Sequence, residues 1–243
     1  MPTVFVTGAN RGLGYEHVKQ YAEKGWKVIA CARNPEQAKE LKELQKKHGE
    51  NFIIEQLEVV DHNRIEELAE KYSNTAIDIL INNAGTTGAV NKTENVELDD
   101  WLKVINTNLN GVWYCMKYQL KQMSQQNLGV IVNTSSISGL HGVRNQAAYS
   151  ASKHGVIGLT KSAALEYAKT PIRINVICPG WTETKMGQHG NVHDTDPRFL
   201  SDHVVGRSGN TNEIAETVLW LSSPLSSFVN GHAMITDGGR MAL

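Results

Sequence analysis

TVFVTGANRGLG, Thr3 to Gly14, decides the fold. Its opening TVFVT is apolar and β-branched, as a buried strand requires. Gly8, Gly12 and Gly14 follow with G-x-x-x-G-x-G spacing, and a helical stretch begins near Tyr15. A strand that ends in glycines and enters a helix can hold a pyrophosphate. The turn is tight, the backbone can approach the phosphates, and the first helical amides face them. A ligand-free glycine turn would not need this place in the first β–turn–α unit. Gly8, Asn10, Arg11, Gly12, Leu13 and Gly14 are therefore candidate cofactor-binding residues.

Working outward, strand-like runs alternate with helical ones. The strands are TVFVT from Thr3, KVIACA from Lys27, FIIEQLEV from Phe52, IDILINNA from Ile77, GVIVNTSS from Gly129, RINVICP from Arg173 and HAMIT from His232. Several are apolar at successive positions, which fits parallel strands covered on both faces. Helices are expected at Tyr15–Glu23, Pro35–Lys47, Asn63–Lys71, Trp101–Ser124, Ala151–Ala168 and Thr211–Leu221, the second capped by Asn34 with Pro35 at its first position. The reading is one α/β domain over residues 1–243: a Rossmann-type, doubly wound, seven-stranded parallel sheet with helices on both faces. The least regular segment, about 184–209, is expected to be a substrate loop or lid.

The end of the second strand bears on the cofactor. A carboxylate there would hold a ribose 2′-hydroxyl, but the residues are Ala30-Cys31-Ala32-Arg33-Asn34. Arg33, with Arg11 from the glycine loop, suits a 2′-phosphate through charge-assisted hydrogen bonds. NADP(H) is therefore expected over NAD(H); the bland alternative is two solvated surface arginines.

Tyr149 and Lys153 stand four apart in YSASKHG, so a helix places them on one face. An ammonium beside a phenol favours the phenolate and is expected to draw the tyrosine toward neutrality. Such a tyrosine can exchange a proton with a carbonyl or alcohol oxygen. With hydride delivered by a dinucleotide, the developing alkoxide needs donors, and Tyr149 and Ser136 supply two.

Bulk composition excludes other classes. Hydrophobic residues make up 40% of the 243 and charged ones 20%, as in an ordinary globular chain. The net charge of −1 provides no basic field for nucleic acid or an acidic membrane. The opening has no charged leader ahead of a long apolar run, so neither a cleaved signal nor a membrane span is expected. Cys31, Cys115 and Cys178 are far apart and odd in number, which suggests buried thiols in a reducing, cytoplasmic setting. The nine histidines are scattered. His189 and His193 are four apart in an irregular loop with no further obvious ligand, so no metal site is expected.

TGANRGLG, Asn82-Asn83-Ala84-Gly85, Ser136, Tyr149-x-x-x-Lys153, Pro179-Gly180 and Asp237-Gly238-Gly239 follow one another in that order. In this the chain resembles the short-chain dehydrogenase/reductase family over essentially its whole length. ANRGLG and CARNPEQAKEL are similar to carbonyl-reductase and C-factor-like members; GRSGNTNEIAETVLWLSS and ITDGG are similar to the ketoacyl-reductase type.

The resemblance implies a catalytic set of Asn108, Ser136, Tyr149 and Lys153. Asn108 helps hold a water chain behind the lysine, with Asn106 as its rival. Ser136 hydrogen-bonds the substrate oxygen; its rival Ser135 lacks the thirteen-residue spacing to Tyr149. Tyr149 is the general acid/base, and Lys153 binds the nicotinamide ribose. Ser152 is read as packing. Asn83, Ala84 and Gly85 would follow the adenine-side ribose, and Glu58 and Val59 the adenine edge, Glu58 standing where the family usually has Asp. Pro179, Gly180, Thr182 and Thr184 would lie on the nicotinamide side. Ser138, Leu140, His141, Asn145 and Trp181 are substrate-pocket candidates by position. His141 is equally a surface-loop histidine, and Trp181 equally core packing.

The expected activity is that of an NADPH-dependent carbonyl reductase, acting as a homodimer or homotetramer on a small-molecule carbonyl or alcohol. The alternatives are a non-catalytic NADPH-binding redox sensor, which would not need the whole set, and halohydrin dehalogenation, which would dispense with the nicotinamide site and the lysine.

Overall fold

All four side chains of β1 (Thr3–Val6) are buried because they alternate between two cores. Val4 and Val6 face one cluster, while Phe5 faces the other. Ile79, Leu80 and Ile81 of β4 (Ile79–Asn82) divide in the same way, as do Ile131 and Val132 of β5 (Gly129–Thr134). Strands buried on both faces need helices on both faces.

The computed structural model describes residues 1–184 and 204–242. With β2 (Lys27–Ala32), β3 (Phe52–Gln56), β6 (Ile172–Pro179) and β7 (Ala233–Thr236), the sheet has the order β3-β2-β1-β4-β5-β6-β7 and every pair is parallel. The expected doubly wound sheet is present. The order in which the chain adds strands reverses between β1 and β4, and such a switch point opens a crevice at the carboxyl ends of the strands.

On the face of Val4 and Val6 pack α1 (Gly12–Glu23), α2 (Lys39–His48) and α7 (Thr211–Ser222). On the other lie α3 (His62–Lys71), α5 (Gly111–Gln126) and α6 (Ala147–Glu166), with α4 (Leu98–Ile105) packed against α6. α7 starts with a capping box between Asn210 and Glu213. His17 of α1 is buried, and neither ring nitrogen has a partner. That burial pushes its pKa down to about 4.

Several element boundaries differ from expectation, three of them in helices that bear on packing or the site. Pro35 opens a separate 3-10 turn, Pro35–Gln37, and Asn34 makes no side-chain cap. Ala38 then breaks the helical path and buries its methyl beside Leu41, so α2 starts at Lys39. The helix expected from Trp101 begins at Leu98 and widens into a π turn at Asn106–Asn110 before α5. α6 starts at Ala147, which puts Tyr149 in its first turn. No helix among the described residues is long and apolar enough to cross a membrane.

Candidate active site

The carboxyl ends of the central strands enclose a cleft of about 480 Å³, a size that suits a small-molecule ligand. The glycine loop forms one wall. Gly8 has φ +65, and a Cβ there would lie 2.8 Å from the Ala84 Cα. Gly14 lets α1 press on the loop: a Cβ would lie 2.1 Å from the Gly8 carbonyl oxygen. Gly8, Asn10, Arg11, Gly12 and Leu13 line the cleft, whereas Gly14 packs behind it. The amino end of α1 has no side-chain cap and no acidic residue in its first turn. Its first amides therefore suit an anion, as a bound pyrophosphate requires.

Asn83 fixes this wall to β4. Its Nδ2 donates to the carbonyls of Thr7 at 3.2 Å and Gly8 at 3.1 Å. The Thr7 hydroxyl accepts from the Asn83 and Ala84 amides at 3.0 and 3.1 Å. Asn83, Ala84 and Gly85 all line the cleft, but the Asn83 amide is spent on the loop.

Arg11, Arg33, Glu58 and Val59 all line the cleft. Arg33 Nε stands 3.6 Å from a Glu58 carboxylate oxygen, both side chains partly exposed. The arginine expected to meet a 2′-phosphate thus has an acid beside it, which its position in the sequence does not reveal.

Ser136, Tyr149 and Lys153 meet farther along. The Ser136 hydroxyl accepts from the Ser138 amide at 3.1 Å, donates to the Ser138 hydroxyl at 3.2 Å and lies beside the Tyr149 phenol. Ser135, its rival, is buried and donates instead to the Lys153 carbonyl at 2.9 Å. Lys153 Nζ donates to the Thr134 carbonyl at 2.8 Å and lies 5.6 Å from the centre of the Tyr149 ring.

The expected downward pull on Tyr149 is corrected. Burial pushes the phenol up, and the neighbouring Ser136 hydroxyl only partly offsets it. The ammonium faces the Thr134 carbonyl, and its own burial pushes it down to about 8.

Asn108 does not line the cleft; it is wholly buried in the π turn. Its Oδ1 accepts from the Thr86 amide at 2.8 Å, and its Nδ2 donates to the Thr86 carbonyl at 2.8 Å and to Ser152 Oγ at 3.1 Å. Its rival Asn106 accepts from Asn110. π turns recur at functional sites because the extra residue re-aims a side chain. Ser152, expected to be packing, is a hydrogen-bonded link.

Pro179, Gly180, Thr182 and Thr184 line the cleft, as do Ser138 and Trp181 of the substrate candidates. Leu140, His141 and Asn145 do not. Leu140 packs on the core, His141 bonds the Gly142 carbonyl, and Asn145 takes φ +63 with its carbonyl on the Asn91 amide. The expected loop at 184–209 is pinned at its base, where Glu183 and Gly209 bond across. Its residues 185–203, with His189 and His193, lie outside the described residues. Among the described residues, no His, Cys, Asp and Glu side chains group as metal ligands.

Sequence reasoning missed Thr86, Thr87, Val90, Lys103, Thr107 and Gln146 on the cleft wall. Gln146 caps α6 with a non-helical backbone, so helical spacing gave no signal for it; the others depend on how the loop after β4 folds over α4.

A family model described as enoyl-(acyl carrier protein) reductase, of the short-chain dehydrogenase/reductase group, matches residues 8–240. A cyclohexanol dehydrogenase from Acinetobacter sp. (strain SE19) is 35% identical over 235 residues, 96% of this chain and 92% of that protein. A 3-oxoacyl-(acyl-carrier-protein) reductase FabG from Buchnera aphidicola subsp. Schizaphis graminum (strain Sg) is 38% identical over 240 residues, 98% of this chain and 96% of that protein. The solved structure of ElxO with NADP bound has a TM-score of 0.92 at 33% identity, covering 100% of this chain and 99% of that one.

Proposed function

The chain belongs to the short-chain dehydrogenase/reductase family, and from that premise we propose that it reduces a ketone or aldehyde to an alcohol with NADPH. One observation carries the reading: the Ser136 and Tyr149 hydroxyls meet beside Lys153 in the cleft that the glycine loop opens.

The bound nicotinamide cofactor would supply a hydride. The chain's own residues manage the charge and the proton. As negative charge develops on the carbonyl oxygen, Ser136 Oγ and the Tyr149 hydroxyl donate to it. Tyr149 gives up its phenolic proton, and Lys153 favours the phenolate left behind. A preorganised donor contributes about 10²–10³ in rate and positioned acid catalysis about 10²–10⁴. Asn108 acts from behind this group, through the Thr86 peptide and Ser152.

Arg11 and Arg33 favour the 2′-phosphate of NADP(H) over a bare ribose hydroxyl. The relative's NADP complex supports the same cofactor. Trp181 and Ile137 beside Ser138 and Gln146 give the carbonyl compound a partly apolar wall. A cytoplasmic homo-oligomer is the proposed setting. The three cysteines are free and buried, which suits a reducing compartment. Leu98, Trp101, Leu102 and Trp113 leave apolar surface exposed on α4 and α5. Light scattering that finds only a 26.8 kDa species would remove the oligomer from this reading.

The test is oxidation of NADPH and NADH by purified protein with a ketoester, a quinone, an aryl ketone and a ketosteroid. Turnover with NADPH is expected, reduced about 10²–10⁴-fold by Tyr149→Phe. NADPH binding without turnover of any of them would favour the sensor reading.

A further inference from the structure

Two serine hydroxyls hold the turn of α6 that carries Tyr149 and Lys153. Ser152 Oγ donates to the Tyr149 carbonyl at 2.7 Å and accepts from Asn108 Nδ2 at 3.1 Å. Ser135 Oγ donates to the Lys153 carbonyl at 2.9 Å. Ser152 and Asn108 are wholly enclosed, and Ser135 nearly so. Asn108 spends its whole amide here. Its oxygen takes the Thr86 amide proton, one of its own protons goes to the Thr86 carbonyl and the other to Ser152. The loop after β4, the π turn and the first turn of α6 are therefore tied through one side chain.

The surroundings leave little slack. A Cβ on Gly139 would lie 2.4 Å from Ser135 Oγ and 2.8 Å from the Lys153 carbonyl oxygen. One on Gly85 would lie 3.3 Å from Asn108 Oδ1 and 3.6 Å from Lys153 Nζ.

We propose that Ser152 is a positioning residue for the reduction, acting through Asn108 and the Tyr149 backbone, with Ser135 as its counterpart at Lys153. The proposal rests on the function proposed above. A serine that only bonds back to its own helix tends to bend it slightly. Ser152 differs because its oxygen is also the acceptor of one Asn108 proton. Without it a buried N–H loses its partner, and the amide must turn to find another. Loss of the hydroxyl frees the Tyr149 carbonyl, and the turning amide releases the Thr86 peptide. Hydride and proton transfer tolerate such drift poorly, because reacting atoms must stay close and aligned.

The experiment compares Ser152→Ala, Ser135→Ala, Asn108→Ala and the Ser152→Ala/Asn108→Ala double variant with the full-length protein. The carbonyl probe is whichever of the four above turns over fastest. Ser152→Ala is expected to lower kcat about tenfold while the NADPH KM stays within about twofold, since the residue touches no ligand. The double variant is expected to be no slower than Asn108→Ala alone, because the two act as one unit. In the protein without ligand, amide hydrogen exchange over residues 84–90 and 147–156 is expected to quicken about fivefold in Ser152→Ala. Ser135→Ala should quicken the second segment alone. Unchanged kcat, kcat losses that multiply in the double variant, or unchanged exchange would each overturn the proposal. If wild type turns over none of the probes, the proposed function fails, and the exchange measurement still decides whether the serines hold the turn.

Discussion

Lowering the pH should destabilise this fold through one residue outside the active site, His17. The ring is buried in α1 with both nitrogens unpartnered, and its pKa falls from 6.5 to about 4. An unfolded chain would regain the ordinary value, so between those pH values the unfolded state binds more protons. Stability then falls as the pH falls through that window; it is whole above about 6.5 and spent below about 4. That displacement corresponds to about 3.4 kcal/mol at the acid limit, of which about 2 kcal/mol is lost between pH 7.5 and 5. With a urea slope of about 2–3 kcal/mol per molar, the midpoint should drop by about 0.7–1 M. The assay is urea unfolding of wild type and His17→Leu at pH 7.5 and pH 5, at one protein concentration. Leucine fills a similar space, cannot titrate and leaves no orphan nitrogen, so the variant should lose much less between the two pH values. It should also be more stable at pH 7.5 by about 1–3 kcal/mol. Equal losses in the two proteins would refute the reasoning.

The buried Lys153 ammonium, pushed down to about 8, should make reduction decline as the pH rises through about 8, visible in the pH profile of kcat/KM. A flat profile to pH 9 would argue that the ammonium is dispensable. Glu58→Gln should free Arg33 and remove a like charge from a 2′-phosphate, tightening NADPH by about two- to fivefold with little change for NADH; titration calorimetry reads both. Weaker NADPH binding in that variant would mean that the carboxylate supports the site. Gly14→Ala would drive a methyl into the Gly8 carbonyl at 2.1 Å, so it should cost more than about 2 kcal/mol of stability and abolish cofactor binding. Thermal unfolding of the variant with and without NADPH checks this, and a Tm shift in the variant as large as that of the wild type would contradict it.

Most of the fold was legible because its signals are local. Seven apolar runs, each separated from the next by at least one turn or helix, give a parallel sheet almost by necessity, and the glycines after the first run give its ligand-binding edge. Element boundaries were less legible where packing overrides propensity. Pro35 reads as a helix start, yet burial of Ala38 breaks the path there. The π turn at Asn106–Asn110 has no propensity signature; it serves Asn108 contacts to residues far away in the chain.

The sequence by itself determined the doubly wound sheet, the phosphate loop, and the shared helical face of Tyr149 and Lys153. Each follows from spacing within a few turns of chain, where backbone geometry alone relates the side chains. Only the tertiary structure decided that Ser135 is spent on the Lys153 carbonyl, that Glu58 stands beside Arg33, that burial raises the Tyr149 phenol, and that Ser152 is tied to an asparagine 44 residues away. These depend on distances across strands and on exclusion of water, which form only when the two cores close around the sheet.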